Sequence, residues 1–130
     1  MLKKTITYTD YDGNSRTEDF WFNLSKAEII RLEFSESGGM EKLLNKMIAE
    51  QDSKKLMNMF ETLILTAYGE KSGDGKRFIK SEELSTAFKQ TEAYSELIVE
   101  LLSDEKAASE FVNKVMPQIP TENQAAFPAN

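Results

Sequence analysis

The first residues of the chain alternate between apolar and polar side chains, as β-strands with one buried face do. Leu2, Ile6 and Tyr8 alternate with lysine and threonine, and the segment 16–22 places its phenylalanines on one face and Trp21 on the other. β-Branched and aromatic residues at this period favour strands. Asp12-Gly13 lies between the segments and supplies the positive φ of a tight turn. The pattern predicts a β-hairpin over about residues 2–22.

After residue 25 the apolar residues recur at three-and-four spacing, which is typical of amphipathic helices. Ser25 and Glu28 match a capping box at the start of the first helix, which ends before the glycine pair 38–39. A second helix carries the apolar residues between Met40 and Ile48. A third, capped by residue 52 or 53, runs to Tyr68 and ends at a glycine stop.

The C-terminal half predicts a polar loop over 70–76, followed by further helices. Ser81 caps a segment whose apolar spacing reaches Ser103, as one long helix or as two short helices that divide at Thr91. Residues 103–105 open a last helix. All three prolines follow it, and residues 117–130 predict a flexible tail.

These elements predict an α+β fold that is mostly α. An N-terminal β-hairpin is expected to be followed by a bundle of about five to six helices. We expect a single globular domain over residues 1–116, with the hairpin at about 2–22 and the helices at about 26–116.

Charge and composition narrow the range of partners. The chain has 22 acidic and 16 basic residues among 130, a formal charge of −6, which disfavours nucleic acid as a partner. It contains no apolar run of the roughly 20 residues that cross a membrane. The N-terminus lacks the apolar core of a secretory signal. A cytoplasmic location is the simplest expectation.

Candidate chemistry is sparse, because the chain has neither histidine nor cysteine. The commonest general base, the usual zinc ligands and the thiol nucleophile are therefore missing. Neither phosphate-binding glycine pattern is present. A calcium loop over residues 72–83 would put Arg77 where the bend glycine belongs. We expect no enzyme activity, no catalytic residue, no metal and no cofactor.

Several apolar residues remain candidates for contact with a partner protein. Trp21 either packs under a helix or is an exposed anchor. The methionines between residues 40 and 59 either fill gaps in the core, the favoured interpretation, or line an adaptable groove. The segment 77–80 is either a short strand or a docking segment. The candidate partner-binding residues are Trp21, Met47, Met57, Phe78 and Tyr94.

Three stretches resemble a known family in their order and spacing. They are YTDYDG (8–13) running into DFWFNLS (19–25), YGEKS (68–72) with DGKRFIKS (74–81), and QTEAYSEL (90–97). The resemblance is to small proteins from phages and prophages of Gram-positive bacteria that are described as tail assembly chaperones. It covers about residues 1–117.

The resemblance implies a protein that binds the tape measure protein of a long-tailed, siphovirus-like phage. It would keep that protein soluble in the host bacterial cytoplasm until tail tube subunits polymerise, and would be absent from the mature virion. The major tail tube protein and a frameshifted long form of the chain are further implied partners. A homo-oligomer is left open.

Two other functions are left open by the sequence. The chain could be a structural virion component, such as a tail completion or connector protein. It could also be a small phage protein that binds a host factor.

Overall fold

The computed structural model describes residues 1–31, 46, 49 and 51–117. Its strands and helices, in chain order, are β1 (Leu2–Thr9), β2 (Ser15–Phe22), α1 (Lys26–Arg31), α2 (Ser53–Ala67), β3 (Tyr68–Lys71), β4 (Phe78–Ile79), α3 (Glu82–Lys89), α4 (Glu92–Ser103) and α5 (Glu105–Val115). The four strands form one antiparallel sheet in the order β1-β2-β3-β4.

The predicted N-terminal hairpin is confirmed. Strands β1 and β2 pair without interruption from Leu2 opposite Phe22 to Thr9 opposite Ser15. Gly13 has a φ of +85°, the backbone conformation for which glycine is suited. The Asp10 carboxylate accepts hydrogen bonds from the N–H groups of residues 12 and 14 and so closes the turn.

A second hairpin, β3–β4, extends the sheet. For this segment the sequence predicts the end of a helix and a loop instead of strands. Strand β3 begins directly after α2, and Tyr68 and Gly69 pair with Phe22 and Trp21 of β2. Strands this short carry too few alternating positions to be recognised locally. Strand β3 forms by pairing with β2, and β4 forms by pairing with β3. The short-strand interpretation of residues 77–80 is confirmed at Phe78–Ile79.

The predicted helical bundle is wrong, because the helices direct apolar residues onto the sheet. Phe22 of β2 has no exposed surface, and its ring lies 5.7 Å from that of Phe88 on α3 and 5.4 Å from that of Phe111 on α5. Tyr68 of β3 stacks on Phe88 at 4.4 Å. Helix α4 packs along β1. The core therefore lies between a four-stranded sheet and the helices on one of its faces.

The helix starts follow their predicted caps. Ser25 and Glu28 exchange hydrogen bonds of 2.9 and 3.2 Å, and Asp52 caps α2. Thr91 caps α4, so residues 82–103 form two helices. In the part of the chain that the structure describes, no helix has both the length and the apolarity needed to span a membrane.

Three predictions fall on residues that the structure does not describe. The end of the first helix, expected before the glycine pair 38–39, lies outside the described residues. The helix expected between Met40 and Ile48 lies outside the described residues, except for Lys46 and Ala49, which are helical. The tail expected over 117–130 lies outside them after Pro117.

Candidate interaction surface

The sheet face that points away from the helices has a polar half on β1 and β2. In an antiparallel pair, residues opposite each other point to the same side, so Thr5, Thr7, Thr17 and Asp19 share this face. The Thr7 and Thr17 hydroxyls are 3.0 Å apart, and the Thr5 hydroxyl donates to Asp19 at 2.6 Å. These exposed side chains already bond to one another, so this half is a solvated surface.

The other half of the same face carries aromatic rings and cations. We call it the aromatic–lysine patch and define it as Lys3, Trp21, Gly69, Lys71 and Phe78. The Lys71 ammonium lies 4.2 Å from the centre of the Trp21 ring, and that of Lys3 lies 5.8 Å from it. At these distances a cation is attracted to the face of the indole. Trp21 is half-buried under these two lysines.

Gly69 allows the rings of the patch to lie close to the backbone. A Cβ at this position would be 2.8 Å from Cε2 of Phe78 and 2.8 Å from the carbonyl oxygen of Ile79. The Phe78 ring therefore covers a position that no side chain could occupy, while Trp21 is the β2 partner of the same glycine. The two aromatic residues thus lie beside one glycine on one face.

The structure brings together two of the five predicted partner-binding residues, Trp21 and Phe78. Met57 lies on α2 and is 40% exposed, whereas Met47 lies outside the described residues. Tyr94 is 6% exposed, and its hydroxyl donates to Glu61 at 3.1 Å. Burial and this hydrogen bond raise the pKa of Tyr94. A partner could reach Tyr94 only if the core opened, and the binding roles of all five stay predictions.

Sequence reasoning missed the other members of the patch. Lys3 comes from β1 and Gly69 and Lys71 from β3, and only the pairing of both strands with β2 places them together. No local signal marks Lys71 as a neighbour of Trp21, because the two are 50 positions apart in the chain. The glycine at position 69 signals a helix stop when it is considered alone.

A shallow groove of about 450 Å³ lies on another side, between α1, α2 and the start of α3. Lys80 borders it, donating to the Glu28 carboxylate at 2.7 Å and to the Asn23 carbonyl at 2.6 Å. Burial alone would raise the pKa of Glu28, but the hydrogen bonds from Lys80 and Ser25 outweigh it and lower that pKa. This ion pair joins α1 to the end of β4, which gives it a structural role.

The aromatic–lysine patch is a candidate contact surface for a protein. Half-buried aromatic rings flanked by cations fit a protein partner that offers apolar and acidic groups. Over the described residues, no group of three or more His, Cys, Asp or Glu side chains is arranged to hold a metal ion.

Comparison with known proteins gives one result that bears on identity. A family model described as phage tail assembly chaperone matches residues 1–126. No curated protein and no solved structure matches the chain. Because the family match spans almost all of the 130 residues, the chain belongs to the phage tail assembly chaperone family.

Proposed function

We propose that this chain binds the tape measure protein of its phage and holds it in solution while the tail tube assembles around it. The observation that carries the proposal is the family match over residues 1–126. The role is one of binding without catalysis. The chain acts in the cytoplasm of the host bacterium and leaves before the virion is complete.

The aromatic–lysine patch is the proposed contact for the client. Aromatic residues supply much of the energy of protein interfaces, and Trp21 and Phe78 offer two rings on one face. Lys3 and Lys71 add positive charge there on a chain whose formal charge is −6. An amphipathic client segment with acidic residues beside its apolar stripe would complement this surface.

Further partners belong to the same proposal. The major tail tube protein would displace the chaperone as it polymerises on the client. A frameshifted long form of the chain would carry the contact to the tube protein.

Co-expression with the tape measure protein of the same genome tests the function. We expect the client to move to the soluble fraction and to co-elute with this chain in size-exclusion chromatography. Mass spectrometry of purified particles should find the tape measure protein without this chain. A client that stays insoluble, or a stoichiometric amount of this chain in the virion, would refute the proposal.

A charge-matched pair of variants tests the contact surface. Lys3→Glu/Lys71→Glu reverses two charges in the patch, whereas Lys54→Glu/Lys55→Glu makes the same change at exposed positions at the start of α2. We expect only the first variant to lose the client. Equal loss from both would indicate that net charge, and not the patch, governs binding.

A further inference from the structure

Strand β1 is an edge of the sheet, and its ladder with β2 fixes which way its backbone groups point. The Asp10 N–H donates to the Asn14 carbonyl at the turn. Hydrogen-bonded and non-hydrogen-bonded pairs alternate along an antiparallel ladder, so residues 8, 6, 4 and 2 bond to β2. The N–H and C=O groups of Thr9, Thr7, Thr5 and Lys3 then point away from β2, along the free edge.

These outward groups are unoccupied in the described part of the chain. Among residues 1–31 and 51–117, no backbone hydrogen bond outside the sheet involves Lys3, Thr5, Thr7 or Thr9, and their side chains are exposed. An edge of this kind is a template for a further strand.

The two edges of the sheet differ in how they resist such pairing. Strand β4 has only two residues, with Arg77 and Lys80 directly beside them, and short, charged edges resist pairing. Strand β1 has eight residues that pair continuously with β2, and it contains no proline. Its only charges are Lys3 and Lys4 near one end. The edge available for pairing is therefore that of β1.

We infer that β1 pairs antiparallel with β1 of a second copy of this chain across a two-fold axis, which joins two sheets into one of eight strands. In the antiparallel orientation, the charged residues of one β1 strand do not lie opposite those of the other. The lysines of each strand lie at one end, so antiparallel pairing places them opposite polar or apolar residues, whereas parallel pairing would set lysine beside lysine.

Of the registers that satisfy the backbone directions, two pair the largest number of residues. One places Thr5 opposite Thr5 of the partner subunit, and the other places Thr5 opposite Thr7 of the partner subunit. Each pairs seven residues, Leu2–Tyr8 or Lys3–Thr9, keeps the inner faces on one side and opposes no like charges. The interface is isologous, as in most homodimers.

A proline substitution tests the pairing in the isolated full chain. Thr7→Pro removes an outward N–H and leaves the bonds to β2 in place, at an edge position where proline is tolerated. It removes two N–H donors from the symmetric interface. We expect the wild type to sediment as a dimer and Thr7→Pro to raise the dimer dissociation constant by roughly one to two orders of magnitude with its circular dichroism unchanged.

Cysteine crosslinking keeps the test decisive if the proline variant unfolds. The chain has no cysteine of its own. Thr5→Cys/Thr7→Cys should form a covalent dimer on mild oxidation in either register, because opposite residues of such a pair lie within disulfide range. Thr17→Cys is the control, since it lies on the same face but one strand from the edge.

A monomeric wild type would overturn the inference, as would a dimer that Thr7→Pro leaves intact and the paired cysteines do not crosslink. A double-cysteine variant that crosslinks to a co-expressed client and not to itself would also overturn it. Sedimentation and self-crosslinking of the isolated chain do not depend on whether it keeps the tape measure protein soluble, so the two proposals fail separately.

Discussion

The two hairpins of the sheet each turn at an Asp-Gly pair but reach their structure in different ways. The first hairpin, β1–β2, forms eight continuous residue pairs around an Asp-Gly turn. The second hairpin, β3–β4, has two residue pairs between its strands and two more with β2. Local sequence can specify the first, whereas the second depends on β2 and on Gly69 beneath the Phe78 ring. Structure that depends on distant contacts should be lost when those contacts are removed.

The largest expected effect comes from the residue that links both hairpins to the helices. Phe22 is completely buried and pairs with Leu2 and Tyr68. Phe22→Ala should lower the free energy of unfolding by about 3–5 kcal/mol, because the lost ring leaves a cavity in the core. Urea denaturation measures this loss. A change below about 1 kcal/mol would show that the sheet is not held to the helices through this side chain.

Gly69→Ala should disturb the second hairpin alone. The new Cβ would meet a backbone oxygen and a ring carbon at 2.8 Å, and we expect a loss of about 1–3 kcal/mol from the strain. Gly73→Ala in the same hairpin is the control, because nothing lies within 4 Å of its Cβ position. Equal effects of the two substitutions would contradict the close packing at Gly69.

Alanine substitution at either of the two turn glycines should lower the stability of the protein by the same amount. Gly13 and Gly75 have φ values of +85° and +73°, and a Cβ at either would meet nothing within 4 Å. Alanine at either should cost about 1 kcal/mol through backbone strain alone. Thermal unfolding of both variants measures this. Markedly different losses would mean that the turns, and not the strand contacts, distinguish the hairpins.

The smallest expected effect is the acid sensitivity of the two turns. The Arg16 guanidinium and the Asn14 N–H lower the pKa of Asp10, and the Ser72 hydroxyl and the Lys76 N–H lower that of Asp74, from a usual 3.8. A lowered folded-state pKa stabilises the fold above the unfolded pKa, and this is lost as pH falls through the folded value. In the variants Asp10→Asn and Asp74→Asn, the free energy of unfolding should therefore fall less steeply than in the wild type as the pH drops below about 4.

Salt distinguishes the two carboxylates. Asp10 faces a cation at 2.6 Å, whereas Asp74 accepts its bonds from neutral donors. Added salt should therefore reduce the pH dependence of stability that comes from Asp10 by more than it reduces the part that comes from Asp74. Acid titrations of the two variants measure these contributions. A larger effect of salt on the contribution of Asp74 than on that of Asp10 would contradict the causes given for the two lowered pKa values.

What the sequence predicts correctly is encoded within a few residues. The first hairpin follows from alternation and the Asp-Gly turn, and the helix start at Ser81 follows from its capping side chain. The caps Thr91 and Asp104 decide what the sequence leaves open: whether residues 82–103 form one helix or two, and at which of residues 103–105 the last helix begins. Each cap, like the Asp10 carboxylate in the first turn, accepts a hydrogen bond from a backbone N–H two to four positions away. Such contacts form in the same way whatever the rest of the chain does.

What the sequence misses depends on pairing between distant segments. Strand β3 begins where a helical pattern ends, and only β2 gives its backbone groups partners. Lys80 and Glu28, which form an ion pair, are 52 positions apart in the chain. Lys71 lies beside Trp21 only because β3 pairs with β2. Of the proposed interaction surface, the sequence therefore singles out only Trp21 and Phe78, which carry visible aromatic signals, and not the residues that frame them.

The most direct test of the account compares the two halves of the outer sheet face in client binding. Trp21→Ala/Phe78→Ala removes the rings of the aromatic–lysine patch, and Thr7→Ala/Thr17→Ala removes a hydroxyl pair from the polar half. Each variant, once shown to be folded, is co-expressed with the tape measure protein, and the soluble client is quantified. We expect the Trp21→Ala/Phe78→Ala variant to lose the client and the Thr7→Ala/Thr17→Ala variant to retain it. A folded ring variant that holds as much client as the wild type would contradict it.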